Sequence, residues 1–143
     1  MIRKTKTPLR KGSKKAEKAA GSEGLRRKRR IQRAGRRAET LCAWLLRAKG
    51  YRLLARNWRC RSGEIDIIAH RRGVLVFVEV KYRPTGGLAQ QAVSPRQWQR
   101  IGRAATSFCA ARADAQGHVW RFDLMACAAR QWPKHIEDVW RSR

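Results

Sequence analysis

Asp66, Glu79 and Lys81 are two acids and a base in the stretch GEIDIIAHRRGVLVFVEVKYR, from Gly63 to Arg83, the most apolar and β-branched part of an otherwise very polar chain. A carboxylate on a half-buried face is costly unless something compensates it, and two side by side also oppose each other's ionisation. A bound divalent cation resolves both problems, and hard oxygen ligands suit Mg2+ or Mn2+. Lys81, two residues along the strand and roughly 7 Å from Glu79, would then orient or polarise a water on the metal. The plainer account of Glu79-Val80-Lys81 is an ion pair at a strand end. Asp66 on the preceding segment weighs against it, because it supplies a second acid to the same place.

That placement depends on a hairpin. Val74 to Tyr82 alternates, with Val74, Val76, Val78, Val80 and Tyr82 on one face and Leu75, Phe77, Glu79 and Lys81 on the other. Both faces are largely apolar, as in a central strand covered on both sides. Upstream, Glu64, Asp66, Ile68 and His70 share one face, and Ile65, Ile67 and Ala69 the other. Arg71-Arg72-Gly73 supplies the turn. An even-numbered loop sets Asp66 opposite Glu79 and Glu64 opposite Lys81; a three-residue loop without a bulge sends Asp66 to the wrong side.

Around the hairpin the periodicity predicts a helix from about Arg33 to Lys49, with Ala38, Leu41, Cys42, Leu45 and Leu46 inward and Gly50 as its stop. Glu39 sits at the edge of that stripe, open to a surface role or a place near the acids. A short strand follows from Tyr51 to Trp58, with Leu53 and Ala55 on one face and Leu54 and Trp58 on the other. Arg83 to Gln91, with Pro84 and Gly86-Gly87, reads as a loop beside the acids. Ser94-Pro95 starts a second helix running to about Ala113, with Trp98, Ile101, Ala105, Phe108 and Cys109 buried. Arg96, Arg100 and Arg103 lie on its other faces. With Arg83 they are the candidate phosphate-backbone contacts, positioning groups and not base readers. Val119 to Cys127 forms a last strand with Trp120, Phe122, Leu124 and Ala126 on one face, and an edge position would let Arg121 and Asp123 pair. Pro133 precedes a short closing segment.

At this point GEIDIIA followed by FVEVKYR, with Gly35-Arg36-Arg37-Ala38-Glu39 and Arg56-Asn57-Trp58 upstream, resembles the YraN family of uncharacterised bacterial proteins. The resemblance runs from about Arg33 to about Trp140. That family is grouped with the restriction-endonuclease-like PD-(D/E)xK nucleases and is similar in pattern to Holliday-junction resolvases. The resemblance implies an α/β sandwich with a mixed central sheet flanked by helices, and metal-dependent cleavage of DNA. It also implies that the helical glutamate, Glu39 here, points at the metal site as a third carboxylate beside Asp66 and Glu79. The family usually carries a lysine near Gln97; glutamine keeps the hydrogen-bonding group and loses the charge.

The chain has 143 residues, one domain by length, with 35 Lys and Arg against 10 Asp and Glu, a formal charge of +25. Such a charge calls for a polyanionic partner, nucleic acid first and an anionic membrane surface second. Met1 to about Arg30 is poor in apolar residues and dense in cations, which predicts a disordered basic arm over residues 1–32 ahead of the domain at 33–143. No stretch approaches the roughly 20 apolar residues that span a bilayer, and no apolar run follows the basic start as a signal peptide requires. Cys42, Cys60, Cys109 and Cys127 are widely spaced, as free thiols in a reducing compartment are, and match neither a zinc site nor a disulfide framework. The three histidines have no partner at metal or triad spacing, His118 and His135 reading as exposed. Of six tryptophans, Trp44, Trp98 and Trp120 fit core positions. Trp58, Trp132 and Trp140 could stack on unpaired bases, although core packing is the plainer account of all six.

The sequence therefore predicts a Mg2+- or Mn2+-dependent endonuclease for DNA, with branched or damaged structures as candidate substrates, in the bacterial cytoplasm near the nucleoid. Cutting both strands of a junction would call for a homodimer. The second reading is a basic DNA- or RNA-binding protein that keeps the fold without the chemistry.

Overall fold

The computed structural model describes residues 13–84 and 93–140, with side chains from residue 21 onward. The chain divides into two units, residues 1–33 and 34–143. Helix α1, Ser13–Ala48, starts at Ser13 and not near Arg33. Its first part is built mainly of Ala, Lys, Arg and Glu, strong helix formers that outweigh Gly21 and Gly24. Residues 1–12 of the basic arm lie outside the described residues. Every side chain from 21 to 33 is exposed, in keeping with a composition poor in apolar residues.

The second unit is the mixed α/β sandwich of restriction-endonuclease-like order. Strands β1 (Arg52–Cys60), β2 (Gly63–Arg71) and β3 (Val74–Arg83) precede helix α2 (Pro95–Ala110), a short 3-10 turn, and strands β4 (Val119–Ala128) and β5 (Lys134–Trp140). The sheet runs β1-β2-β3-β4-β5, antiparallel except for the parallel pair β3 and β4. One face packs Ile68, Leu75, Phe77, Phe122 and Leu124 under α2 through Trp98, Ile101, Ala105 and Phe108. The other packs Ile67, Ala69, Val76, Val78 and Met125 under Ala38, Cys42, Ala43 and Leu46 of α1. Both faces of β3 are thus covered, in keeping with its unbroken apolar run from Val74 to Val78.

Local departures from simple alternation have visible causes. The β2–β3 hairpin closes on two residues, Arg72 (φ 49°) and Gly73 (φ 79°), because Arg71 pairs with Val74. Two positive φ values mark a turn whose twist matches the strands. This is the even-numbered loop that Asp66 requires. A bulge between Leu53 and Ala55 in β1 moves Ala55 to the side of Leu54 and Trp58, leaving Leu53 on the opposite face. On α1, Leu41 is 40% exposed and Ala43 is buried in its place. Trp44 is 63% exposed and Trp120 36%, so neither is the core residue predicted; Trp98 is. Helix α2 begins as expected, with the Ser94 hydroxyl accepting the Gln97 N–H at 3.2 Å and Pro95 in the first turn.

The closing segment is a full strand, and it changes the surroundings of β4. Pairing with β5 makes β4 interior, so the Arg121–Asp123 pair, although formed, does not stand at an edge. Asp123 is fully buried. It accepts from Arg121 Nε at 2.9 Å, from His135 Nε2 at 2.7 Å and from the Asp138 N–H at 3.0 Å. His135, expected on the surface, has a buried side chain, because its pairing opposite Met125 puts it on the face of the sheet that carries Asp123. His118 is half-buried, its ring 4.5 Å from that of His70. Sγ of Cys42 and Sγ of Cys127 lie 3.3 Å apart as free thiols between α1 and β4.

Candidate active site

The site begins where two strands part. The β2–β3 ladder runs from Arg71↔Val74 to Ile67↔Val78 and ends there, while β2 stays paired to β1 as far as Gly63. Beyond Val78, β3 keeps its parallel pairing to β4 as far as Arg83. The Val80 N–H, which would have donated to β2, donates instead to Asp66 Oδ2 at 2.7 Å. The fork also breaks the alternation of β2: Ile65 packs with the α2 cluster and Ile67 with the α1 cluster, although both were expected on one face. Glu64 does not reach Lys81; it is exposed and paired with Arg59 at 3.1 Å.

Glu79 is buried on the α2 side, where its Oε1 accepts from Lys81 Nζ at 2.5 Å and from Gln97 Nε2 at 2.6 Å. Burial pushes its carboxyl above the ordinary glutamate value, against the pull of Lys81. Asp66 is affected more: burial first, and the Glu79 charge second, raise it to about 7, while the Val80 N–H works the other way. Glu39 is half-buried on α1 and close enough to Asp66 for its charge to add to that rise. Near neutral pH this pair of acids therefore holds a proton that either would shed in water.

Asp66, Glu79 and Lys81 are thus brought together, with Glu39 within electrostatic reach. Arg96 and Arg100 line a cavity of about 360 Å³ beside Glu79, with Glu64, Ser94, Gln97 and Ile101. Arg103 is exposed on α2 and is not among the residues lining that cavity. Arg83 is at the exposed end of β3, with Nη1 3.5 Å from the adjacent Tyr82 carbonyl. The glycine loop lies outside the described residues from position 85 to 92. Two parts of the site escaped the sequence reading. One is the Val80 amide, where the signal was an acid in a strand facing a valine-rich neighbour. The other is Gln97 as the direct partner of Glu79; its position three residues after the Ser94 cap placed it in the first turn of α2.

Among the described residues no three His, Cys, Asp or Glu side chains converge as a ready metal cage. What the donor set offers is a pair of hard oxygen ligands whose crowding a cation would relieve, and a cavity with two arginines alongside.

Fold and site together define a mixed α/β protein with an acid, acid, lysine constellation where the antiparallel strands β2 and β3 part. The chain belongs to Uncharacterised protein family UPF0102, whose family model matches residues 38–127. A UPF0102 protein of Chelativorans sp. is 42% identical over 86% of this chain and 99% of its own length. One of Parvibaculum lavamentivorans is 43% identical over 76% of this chain and 82% of its own. One of Bradyrhizobium diazoefficiens is 47% identical over 73% and 78%. The matched segment contains Glu39, Asp66, Glu79, Lys81 and Gln97; most of the basic part of α1 precedes it. No described helix is long and apolar enough to cross a membrane.

Proposed function

We propose that this chain is a metal-dependent nuclease hydrolysing DNA phosphodiesters, with branched or damaged structures as its substrate class. The observation that carries this reading is the acid pair at the strand fork, Asp66 and Glu79, with Lys81 bonded to the second acid. A purely structural ion pair needs one acid; a second one, protonated near neutrality beside it, is a costly arrangement that a cation site explains. Asp66 and Glu79 would hold Mg2+ or Mn2+, and Glu39 would complete the set from α1. When bound, the cation supplies charge to the phosphate in the transition state and acidity to a water. Lys81 holds Glu79 in place and presents an ammonium where the water would lie. Gln97 fixes the same Glu79 oxygen from α2. Arg96 and Arg100 give the cavity beside Glu79 a positive wall suited to a phosphate, and Arg83 and Arg103 extend that charge along the backbone.

The test is incubation of linear, flapped and four-way DNA with magnesium and with manganese, using wild type beside Glu79→Gln. Metal-dependent cutting that vanishes in the variant supports the nuclease and names its substrate. Tight, salt-sensitive binding shared by both proteins, with no cutting, replaces it with a basic nucleic-acid-binding role, which the +25 charge alone would serve.

A further inference from the structure

Residues 21–33 of α1 carry Arg26, Arg27, Lys28, Arg29, Arg30 and Arg33 against the single acid Glu23, and every one of these side chains is exposed. Arg26, Arg29, Arg30 and Arg33 follow the spacing i, i+3, i+4, i+7, so they form one stripe along the helix. Arg27 and Lys28 project elsewhere. Like charges at i,i+3 and i,i+4 destabilise a helix, and here Arg26–Arg29, Arg26–Arg30, Arg29–Arg33 and Arg30–Arg33 all repel. No other acid lies in this segment to answer them. Dense negative charge laid along the stripe would relieve that repulsion.

We infer that residues 21–33 form a contact surface for the phosphate backbone of a nucleic-acid duplex, made by Arg26, Arg29, Arg30 and Arg33. The stripe spans about 10 Å, seven residues at 1.5 Å each. Over that length a duplex presents about six phosphates, enough to face four guanidiniums. Arginine suits the task because its planar fork bonds phosphate oxygens in pairs. An anionic membrane fits less well. The large apolar residues exposed in this segment are Leu25 and Ile31, about 120° apart around the helix at 100° per residue with Lys28 between them. They make no continuous apolar face to sink into lipid. None of the four arginines belongs to the constellation at the strand fork, and the inference stands whether or not the protein cuts DNA.

The experiment measures binding of the full chain to duplex DNA and to duplex RNA by fluorescence anisotropy, in EDTA and over a salt series. Wild type is compared with a fourfold variant, Arg26→Gln, Arg29→Gln, Arg30→Gln and Arg33→Gln, and with the double variant Arg27→Gln, Lys28→Gln. Because the side chains are exposed, thermal unfolding should match wild type in both. The slope of log affinity against log salt should fall by about 3.6 in the fourfold variant, 0.9 for each phosphate no longer neutralised, and hardly change in the double one. The tighter of the two duplexes names the partner. An unchanged slope in the fourfold variant overturns the inference. So does a fall of about 1.8 in the double variant, the value for uniformly shared charge. Tighter binding to vesicles of phosphatidylserine and phosphatidylcholine in equal parts than to either duplex also overturns it. The assay is run in EDTA and reads binding alone, so failure of the nuclease reading would leave the result intact.

Discussion

Asp66 Oδ2 accepts the Val80 N–H at 2.7 Å, so a side chain from β2 occupies the ladder position that the β2 backbone leaves at the fork. Asp66→Ala removes the acceptor and strands a peptide N–H in a partly buried place, at a cost of about 1–3 kcal/mol. Asp66→Asn keeps an oxygen for that bond. In urea titrations the alanine variant should lose stability and the asparagine variant should hold it. Equal losses would show that the bond to Val80 is not what Asp66 contributes.

The same carboxyl sets a pH dependence. Raised to about 7 in the fold from its ordinary 3.8, Asp66 binds its proton more tightly folded than unfolded. Its contribution is therefore complete below about pH 3.8 and is lost as pH rises through 7. In EDTA, wild type should lose stability between pH 5 and 8 relative to Asp66→Asn, by an amount on the order of a few kcal/mol. Added Mg2+ should return part of that loss at pH 8 in wild type only.

Lys81 and Glu79 form a pair whose side chains are 20% and 7% exposed. Removing one partner leaves a buried charge, which costs up to about 3–5 kcal/mol. Lys81→Met should destabilise the protein well above the Glu79 titration and much less in acid, where Glu79 is neutral. Glu79→Gln in the same chain should recover most of the loss. Gln97→Lys should draw the Glu79 carboxyl downward, readable as a shift of its titration by NMR.

Asp123 answers to pH with the opposite sign. Although burial opposes its charge, bonds from His135, Arg121 and the Asp138 N–H hold it below the ordinary aspartate value. Its contribution is present above about pH 3.8 and fades as pH falls toward its folded value. Asp123→Asn should cost about 3–5 kcal/mol at pH 7, with no change in metal-dependent cleavage measured below the melting point.

Cys60 is half-buried, whereas Cys42, Cys109 and Cys127 are buried. A thiol reagent applied to the native protein should label Cys60 first by mass spectrometry. Cys42 and Cys127 should react only with unfolding, and together, because they pack against one another. Early labelling of Cys42 would mean that α1 lifts from the sheet.

The helix-strand-strand-strand-helix-strand order and the faces of β3 were legible because their signals are local: strict alternation from Val74 to Tyr82, and Ser94-Pro95 as a helix start. The acid, acid, lysine set was legible for the same reason, once the hairpin loop was even. What the sequence concealed depends on pairing between distant segments. The fork at Asp66 arises because β2 leaves β3 while staying with β1, and no residue of β2 announces that. His135 looked like a surface histidine because its burial depends on pairing with β4, where Asp123 is its partner. Trp44 looked like core because aromatic side chains at helical spacing usually are, yet it lies on the side of α1 turned from the sheet. The start of α1 was missed for a compositional reason: cation-rich, apolar-poor sequence signals lack of a core, which is true here, but lysine, arginine and alanine also favour helix.

The sheet ends on both sides in strands that resist extension. Along β1, Arg52, Arg56, Arg59 and the left-handed Asn57 interrupt the bulged outer rim, and along β5 Asp138 is likewise left-handed within a register shift. A further strand would meet charge and kinks at either border, not a flat row of free amides. Growth of the sheet by edge-to-edge pairing is therefore disfavoured at both borders, leaving it a self-contained unit of five strands.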